Sequence, residues 1–322
     1  MTSRTDKYRV AIQQAISEIA ADNTSGASEI LPRAAQVFAL LNSCGSTSDF
    51  ASLEHAQQAV IETSIGIALA QPHMSPILKL ASSALSASRN ARDIAECFQI
   101  AQSSALNFIE SAQRGTCASA SHGASLIQDG SVVLTHSRSS TVLTALFEAR
   151  RQAKDFSVVA TESRPMLEGR TLADALTKKD IPVMLIIDAA AALALDSVDI
   201  VLIGADRLTP AHLVNKIGTR MIVLAARERG LPVYAICETS KFISEDYYGV
   251  ARAHQDGEVW PDAPEGVTIL NEYFEPTSLL GFTGIVSEHG TLAIEDAAHR
   301  AAQLSIDSAL VNAIRLDGDR LK

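Results

Sequence analysis

Residues 199–237, DIVLIGADRLTPAHLVNKIGTRMIVLAARERGLPVYAIC, decide how the chain is read. An apolar run of strand length is followed by a Gly-Ala-Asp turn. A helical pattern opens at NKIGT, and a second apolar run, PVYAIC, closes the segment. Strand, sharp turn, helix and strand make the repeating rhythm of an open parallel sheet. Asp206 falls in the turn and the Asn215–Lys216 pair at the mouth of the helix, where such sheets carry their chemistry.

The same rhythm extends outward. SVVLTH (131–136), FSVVAT (156–161) and PVMLII (182–187) precede the segment, and GVTIL (266–270) follows it. Helical patterns at STVLTALFEARRQ and TLADALTKK alternate with these runs, as does a short Ala-rich piece at 189–195. Near-continuous apolar strands separated by helices predict an α/β fold, a Rossmann-like doubly wound parallel sheet covered on both faces. Residues 116–322 are expected to form that domain. Residues 1–115 read instead as an N-terminal helical domain of about five helices. Tyr8, Ile12, Ile16 and Ile19 make one apolar stripe, and Ile30, Val37, Phe38 and Leu41 another; further helical patterns run from Phe50 to Leu69, Pro76 to Ser86 and Arg92 to Gln113. Residues 241–265, with Trp260 and two prolines, read as irregular chain on the surface.

Composition excludes several classes. Apolar residues are 47% of the 322, enough for a sizeable core, and the formal net charge of −10 disfavours direct binding to nucleic acid or an anionic membrane. No apolar run reaches membrane-spanning length, and the charged, amphipathic start is unlike a signal peptide. A cytoplasmic location is expected. Cys44, Cys97, Cys117 and Cys237 lie far apart without zinc-like spacing and read as reduced core thiols. No HExxH pattern, dinucleotide fingerprint or P-loop is present, so neither a metal nor a cofactor is expected.

Ligands bind outside the carboxyl ends of strands in open parallel sheets. That rule selects Ser137, Arg138, Ser139 and Ser140 after the first run, and Glu162, Ser163 and Arg164 after the second. Asp188, Asp206, Glu238 and Thr239 follow later ones. Serines at a helix start suit an anion, Arg164 offers a bidentate phosphate contact, and Asn215 and Lys216 add a donor and a charge. Each has a plainer reading. Ser139 and Ser140 equally serve as helix caps, and Arg164 as a surface charge paired with Glu162 or Glu168. Asp188 reads more readily as a cap for the Ala-rich helix than as a catalyst. His136 is ambiguous between a hydrogen-bonded core residue and an acid or base. Convergence of separate segments on one edge favours a site.

VVLTHSRSSTVLTAL, ATESRPMLEGRTLADAL, IGADRLTPAHLVNKIGT and LAARERGLPVYAICETSKF run in an order that resembles the translation initiation factor 2B α/β/δ family. That family includes ribose-1,5-bisphosphate isomerase and methylthioribose-1-phosphate isomerase, and the likeness covers roughly residues 115–290. It implies a helical domain before a Rossmann-like one, and a homodimer or higher homo-oligomer formed largely through the latter. In the isomerases a cysteine after Thr-His and the aspartate of Gly-Ala-Asp move a proton between neighbouring sugar carbons. Carried over, the aspartate is Asp206, the substrate-holding pair Asn215 and Lys216, and the arginine Arg164. The cysteine position holds Ser137, whose hydroxyl is a far weaker proton carrier than a thiol. The family's Arg-Gly-Ala appears as Ser25-Gly26-Ala27 and its Arg-Pro as Gln71-Pro72, so two phosphate-gripping arginines are missing.

Three functions compete. The first is an initiation factor 2B α-like protein binding a small phosphorylated ligand, a sugar phosphate or nucleotide, through Ser139, Ser140, Arg164, Asn215 and Lys216, with catalysis impaired. The second is an active sugar-phosphate isomerase using Asp206 with Ser137 or a water. The third is a regulatory subunit of a guanine-nucleotide exchange factor, whose partner is a translation GTPase.

Overall fold

The computed structural model describes residues 4–44, 50–244 and 255–320. They fall into two compact units, one made of residues up to 113 and from 304 onward, the other of described residues between 114 and 303. The helices α1 (Arg4–Ala21), α2 (Ala27–Cys44), α3 (Leu53–Ala70) and α4 (Ser75–Ser88) are followed by the long α5 (Ile94–Leu126), within which the division falls. Then come β1 (Ser131–Thr135), α6 (Ser140–Arg151), β2 (Phe156–Thr161), α7 (Glu168–Thr177), β3 (Val183–Ile186), α8 (Ala191–Ala194) and β4 (Ile200–Ile203). A hairpin of β5 (Arg207–Leu208) and β6 (His212–Lys216) leads into α9 (Thr219–Glu228) and β7 (Val233–Ile236). The chain ends with β8 (Phe274–Ser278), β9 (Gly284–Ser287), β10 (Gly290–Leu292), α10 (Ile294–Ala302) and α11 (Ser308–Arg320).

In the helical unit, apolar stripes at helical spacing bury Ile19, Ile30, Phe38, Ile67, Leu78 and Phe98 completely or nearly so. Each such side chain contributes roughly 1.5–3 kcal/mol by leaving water. Tyr8, from the first expected stripe, has a side chain outside the described residues. Ser52 caps α3 by accepting from the His55 N–H, Pro76 stands in the first turn of α4, and α11 packs against α3. The end of α1 is closed from a distance: Gln71 Nε2 donates to the carbonyls of Ile19 (2.8 Å) and Asp22 (2.9 Å). The buried Gln71 amide thus ties down one carbonyl in the last turn of α1 and one just past it.

The second unit carries a seven-stranded sheet in the order β10-β9-β7-β4-β1-β2-β3, parallel except for β10. Its core brings together Ala120 and Ala124 of α5, Val133, Leu146, Val158 and Leu202. The expected architecture is therefore present, with four differences in detail. The last helix of the first region runs on to Leu126, beyond the expected Gln113. GVTIL forms no strand; Val267 and Leu270 are exposed, because an apolar run without a neighbouring strand has no ladder to join. Asn215 and Lys216 do not open a helix but end strand β6 of a second, antiparallel sheet ordered β5-β6-β8. Two buried polar side chains had hidden its alternation. Finally, cover on both faces fails at the edge strand β3, where the successive residues Met184 and Leu185 are both exposed. Within the irregular piece 241–265, residues 245–254 lie outside the described set.

Candidate functional site

The strand order places the switch point between β1 and β4: from β1 the chain moves outward through β2 to β3, then crosses back to β4. The loops after β1 and β4 thus meet at the carboxyl edge of the sheet, where open α/β sheets form crevices. Their contact is close. A Cβ built on Gly204 would fall 2.4 Å from Ser139 Cβ, so only glycine admits this approach. Ser139 also caps α6, its Oγ accepting from the Val142 N–H at 3.3 Å, while Ser140 is the first residue of that helix.

His136 is a buried strut. Its Nε2 lies 2.7 Å from the Ile217 carbonyl, which can only accept, so Nε2 carries the proton and Nδ1 accepts from the Thr161 hydroxyl at 2.5 Å. Burial pushes its pKa below the ordinary 6.5, although the Ile217 hydrogen bond and Asp188 act the other way. The ring is neutral and committed on both sides. It also packs on Gly218, where a Cβ would meet Nε2 at 3.1 Å and the backbone takes φ +102°. Ser137 adopts φ +63°, donates its N–H to Ser163 Oγ (2.8 Å), and makes no hydrogen bond through its hydroxyl with the described residues.

Asp206 stands across the β5–β6 hairpin from the Asn-Lys pair, its N–H bonded to the Val214 carbonyl at 2.9 Å. Its carboxylate makes no hydrogen bond or ion pair with the described residues. Although the residue is partly exposed, the carboxyl is surrounded by protein. Burial pushes it above the ordinary 3.8, against the pull of the Lys241 and Lys216 ammonium groups. Lys216 itself is buried, bonded to Glu168 Oε1 at 2.7 Å and stacked 4.8 Å from the centre of the Tyr273 ring. Asn215 donates to Thr219 Oγ1 (2.9 Å), which in turn donates to the Lys216 carbonyl, joining the strand to α9.

Two further expectations change. Arg164 pairs with neither Glu162 nor Glu168. It is exposed and donates from NH2 to the Val259 carbonyl at 3.2 Å, while Glu162 binds Arg170 and Glu168 holds Lys216. Asp188 does not cap the Ala-rich helix, for its carboxylate accepts from the Ser163 and Arg164 N–H groups, each at 2.8 Å. It therefore fixes the loop after β2, which reaches the site through Ser163 and Ser137. Asp206, Asn215 and Lys216 come together on one hairpin, and Ser137 and Ser139 line the neighbouring loop. The Arg164 guanidinium is directed toward residue 259 instead.

Two groups went unread in the sequence. Arg207 is fully buried beside Asp206, and Lys241, at 7% exposure, lies in the turn after β7 with its Nζ 3.8 Å from Glu238 Oε2. A lysine three residues after a strand-end glutamate was the available signal. Three thiols lie among the described residues. Cys237 is buried and pushed up by that burial, Cys97 lies in the helical unit at about 11, and Cys117 is exposed rather than in the core. The side chain of Cys44 lies outside the described residues.

The model of the initiation factor 2 subunit family matches residues 23–293. The chain belongs to this family. Among its relatives, the ribose 1,5-bisphosphate isomerase of Archaeoglobus fulgidus is 35% identical over 198 residues, 60% of this chain and 62% of that enzyme. The match thus spans less than two thirds of the enzyme's length. The putative translation initiation factor eIF-2B subunit 2-like protein of Pyrococcus furiosus is 32% identical over 282 residues, 86% of this chain and 94% of that protein. Among solved structures, the translation initiation factor eIF-2B of Pyrococcus horikoshii superposes with a TM-score of 0.75 at 29% identity, covering 88% of this chain and 96% of the other. Family members thus carry both enzyme and initiation-factor names. Among the described residues, no helix is long and apolar enough to cross a membrane.

Proposed function

We propose that the rim between β1 and β4 binds a sugar phosphate and that Asp206 moves a proton between two of its neighbouring carbons. The chain would then be a sugar-phosphate aldose–ketose isomerase of the ribose-1,5-bisphosphate or methylthioribose-1-phosphate type. The observation that carries this reading is the Asp206 carboxylate, surrounded by protein yet without a hydrogen bond or ion pair to the described residues. Structural carboxylates are ordinarily paired when surrounded by protein, and burial that favours the neutral form suits a group that takes up and returns a proton. The reaction needs no external oxidant. In a cyclic sugar 1-phosphate the proton leaving C2 is returned to C1, the bond from C1 to the ring oxygen breaks, and the C2 hydroxyl proton ends on that oxygen as the ketone forms. Relatives named as isomerases support this substrate class.

NMR of ribose 1,5-bisphosphate and methylthioribose 1-phosphate, each incubated with the protein, tests the reading. Conversion is expected to fall by about 10²–10⁴-fold in Asp206→Asn and to rise in Ser137→Cys. Turnover that survives Asp206→Asn removes the mechanism.

A second reading, ligand binding without turnover, is favoured by Ser137, a serine where the isomerases carry a cysteine. Thermal-shift measurements with sugar phosphates and nucleoside monophosphates, combined with absent conversion, would select it. A separate reading, a regulatory subunit of a guanine-nucleotide exchange factor, is tested by pull-down with a translation GTPase. These readings place it in the cytoplasm as a homo-oligomer.

A further inference from the structure

Three buried cations and three carboxyls crowd the rim, and they are not equivalent. Lys216 is already neutralised, its Nζ 2.7 Å from Glu168 Oε1. Lys241 has no such bond: the nearest carboxylate oxygen, Glu238 Oε2, is 3.8 Å away and itself lacks a hydrogen-bond partner. The two side chains are 8% and 5% exposed. A buried ammonium with an incomplete pair directs its field at whatever opposite charge is near.

The backbone brings that charge near. β4 and β7 are parallel neighbours in register Ile203 with Ala235, and both chains continue past the sheet side by side. Leu208 forms a parallel bridge with Phe242, and the Ile243 N–H bonds to the Leu208 carbonyl at 2.9 Å. Lys241 thus runs beside Arg207, one residue from Asp206. We propose that Lys241 is a positioning residue for the reaction, the ammonium that holds the Asp206 carboxyl ready to exchange its proton, whereas Lys216 serves mainly to hold Glu168. The charged groups facing Asp206 are Lys241 from the turn after β7, Lys216 from β6, Glu168 from α7 and its neighbour Arg207. Glu238 and the Cys237 thiol also act on Lys241. The Lys241 and Lys216 ammonium groups both pull the Asp206 carboxyl toward its charged form.

The catalytic consequence rests on the isomerase reading, but the electrostatic one is measured in the resting protein. The protein labelled with ¹³C at aspartate carboxyls is titrated, Asp206 being assigned by its loss in Asp206→Asn. Lys241→Met is expected to raise the Asp206 midpoint by about 1 pH unit or more, Lys241→Arg to leave it near the wild-type value, and Glu238→Gln to lower it. A midpoint unmoved in Lys241→Met, with circular dichroism and thermal unfolding intact, overturns the proposal. So does an equal rise in Lys241→Arg, which would assign the effect to packing. If Lys241→Met fails to fold, the Glu238→Gln direction decides the question. Failure of turnover alone leaves the titration unaffected and bears on the isomerase reading.

Discussion

Ser139 occupies the space that a side chain at Gly204 would need, with its Oγ 2.6 Å from the position of an added Cβ. The loops leaving β1 and β4 are therefore locked, and the serine that caps α6 is the residue that would be displaced. Gly204→Ala is expected to destabilise the second unit by about 2–3 kcal/mol, through overpacking of about 1–3 and partial loss of a cap worth about 1. Denaturant melts against Gly257→Ala, where an added Cβ meets nothing within 4 Å, provide the control.

Lys216 and Glu168 form a buried pair whose separation is costlier than its absence. Lys216→Met leaves the Glu168 carboxylate, 17% exposed, without its partner and is expected to lose about 3–5 kcal/mol. Lys216→Met combined with Glu168→Gln should recover most of that loss, since no uncompensated charge remains. Urea midpoints of both variants measure the difference. Equal destabilisation in the two would mean that the lysine acts through packing on Tyr273.

The neutral His136 imposes a pH dependence. Burial holds its pKa below 6.5, so the unfolded chain binds a proton there that the folded chain refuses. Stability contributed by this group is full above about 6.5, declines on acidification by up to about 1.4 kcal/mol per pH unit, and levels off once the folded ring protonates. The Asp206 carboxyl, raised from 3.8, acts in the opposite sense: its burial penalty is relieved as the pH falls through its folded value. Comparing wild type with His136→Gln between pH 7.5 and 5.5 isolates the histidine. The stability gap should narrow toward acid, whereas a constant gap would show that the ring acts only as a strut.

The expectation of a homo-oligomer meets an exposed apolar surface. Met184 and Ile187 at the β3 edge are each 61% exposed, Leu193 of α8 is 74% exposed, and Leu224 of α9 is 55% exposed. α8 packs against α9, so Leu193 and Leu224 belong to one region of the surface. Sedimentation of the wild type is expected to give a dimer or larger species, and Leu193→Asp combined with Leu224→Asp to shift it to monomer. A monomeric wild type at micromolar concentration removes this assembly.

Much of this was legible in the chain. β2 runs from Phe156 to Thr161, the span that FSVVAT marks, and Asp206 lies at a strand end as the Gly-Ala-Asp turn requires. Burial on both faces leaves an unbroken apolar run, and helices leave a periodic stripe, so both are written in neighbouring residues. The strand β6 was not legible because Asn215 and Lys216, buried and polar, interrupt its pattern. Nor was the use of Gln71, whose partners lie 49 and 52 residues away.

The sequence by itself determined the alternation of strands and helices from β1 to β4 and the family motifs, because each is encoded over a few adjacent positions. Only the tertiary structure decided which charges meet: Lys216 goes to Glu168, Arg164 to the Val259 carbonyl, and Lys241 comes alongside the hairpin of Asp206. Side-chain type sets which partners are permitted, but desolvation and distance choose among them, and both arise only when segments far apart in the chain are packed together.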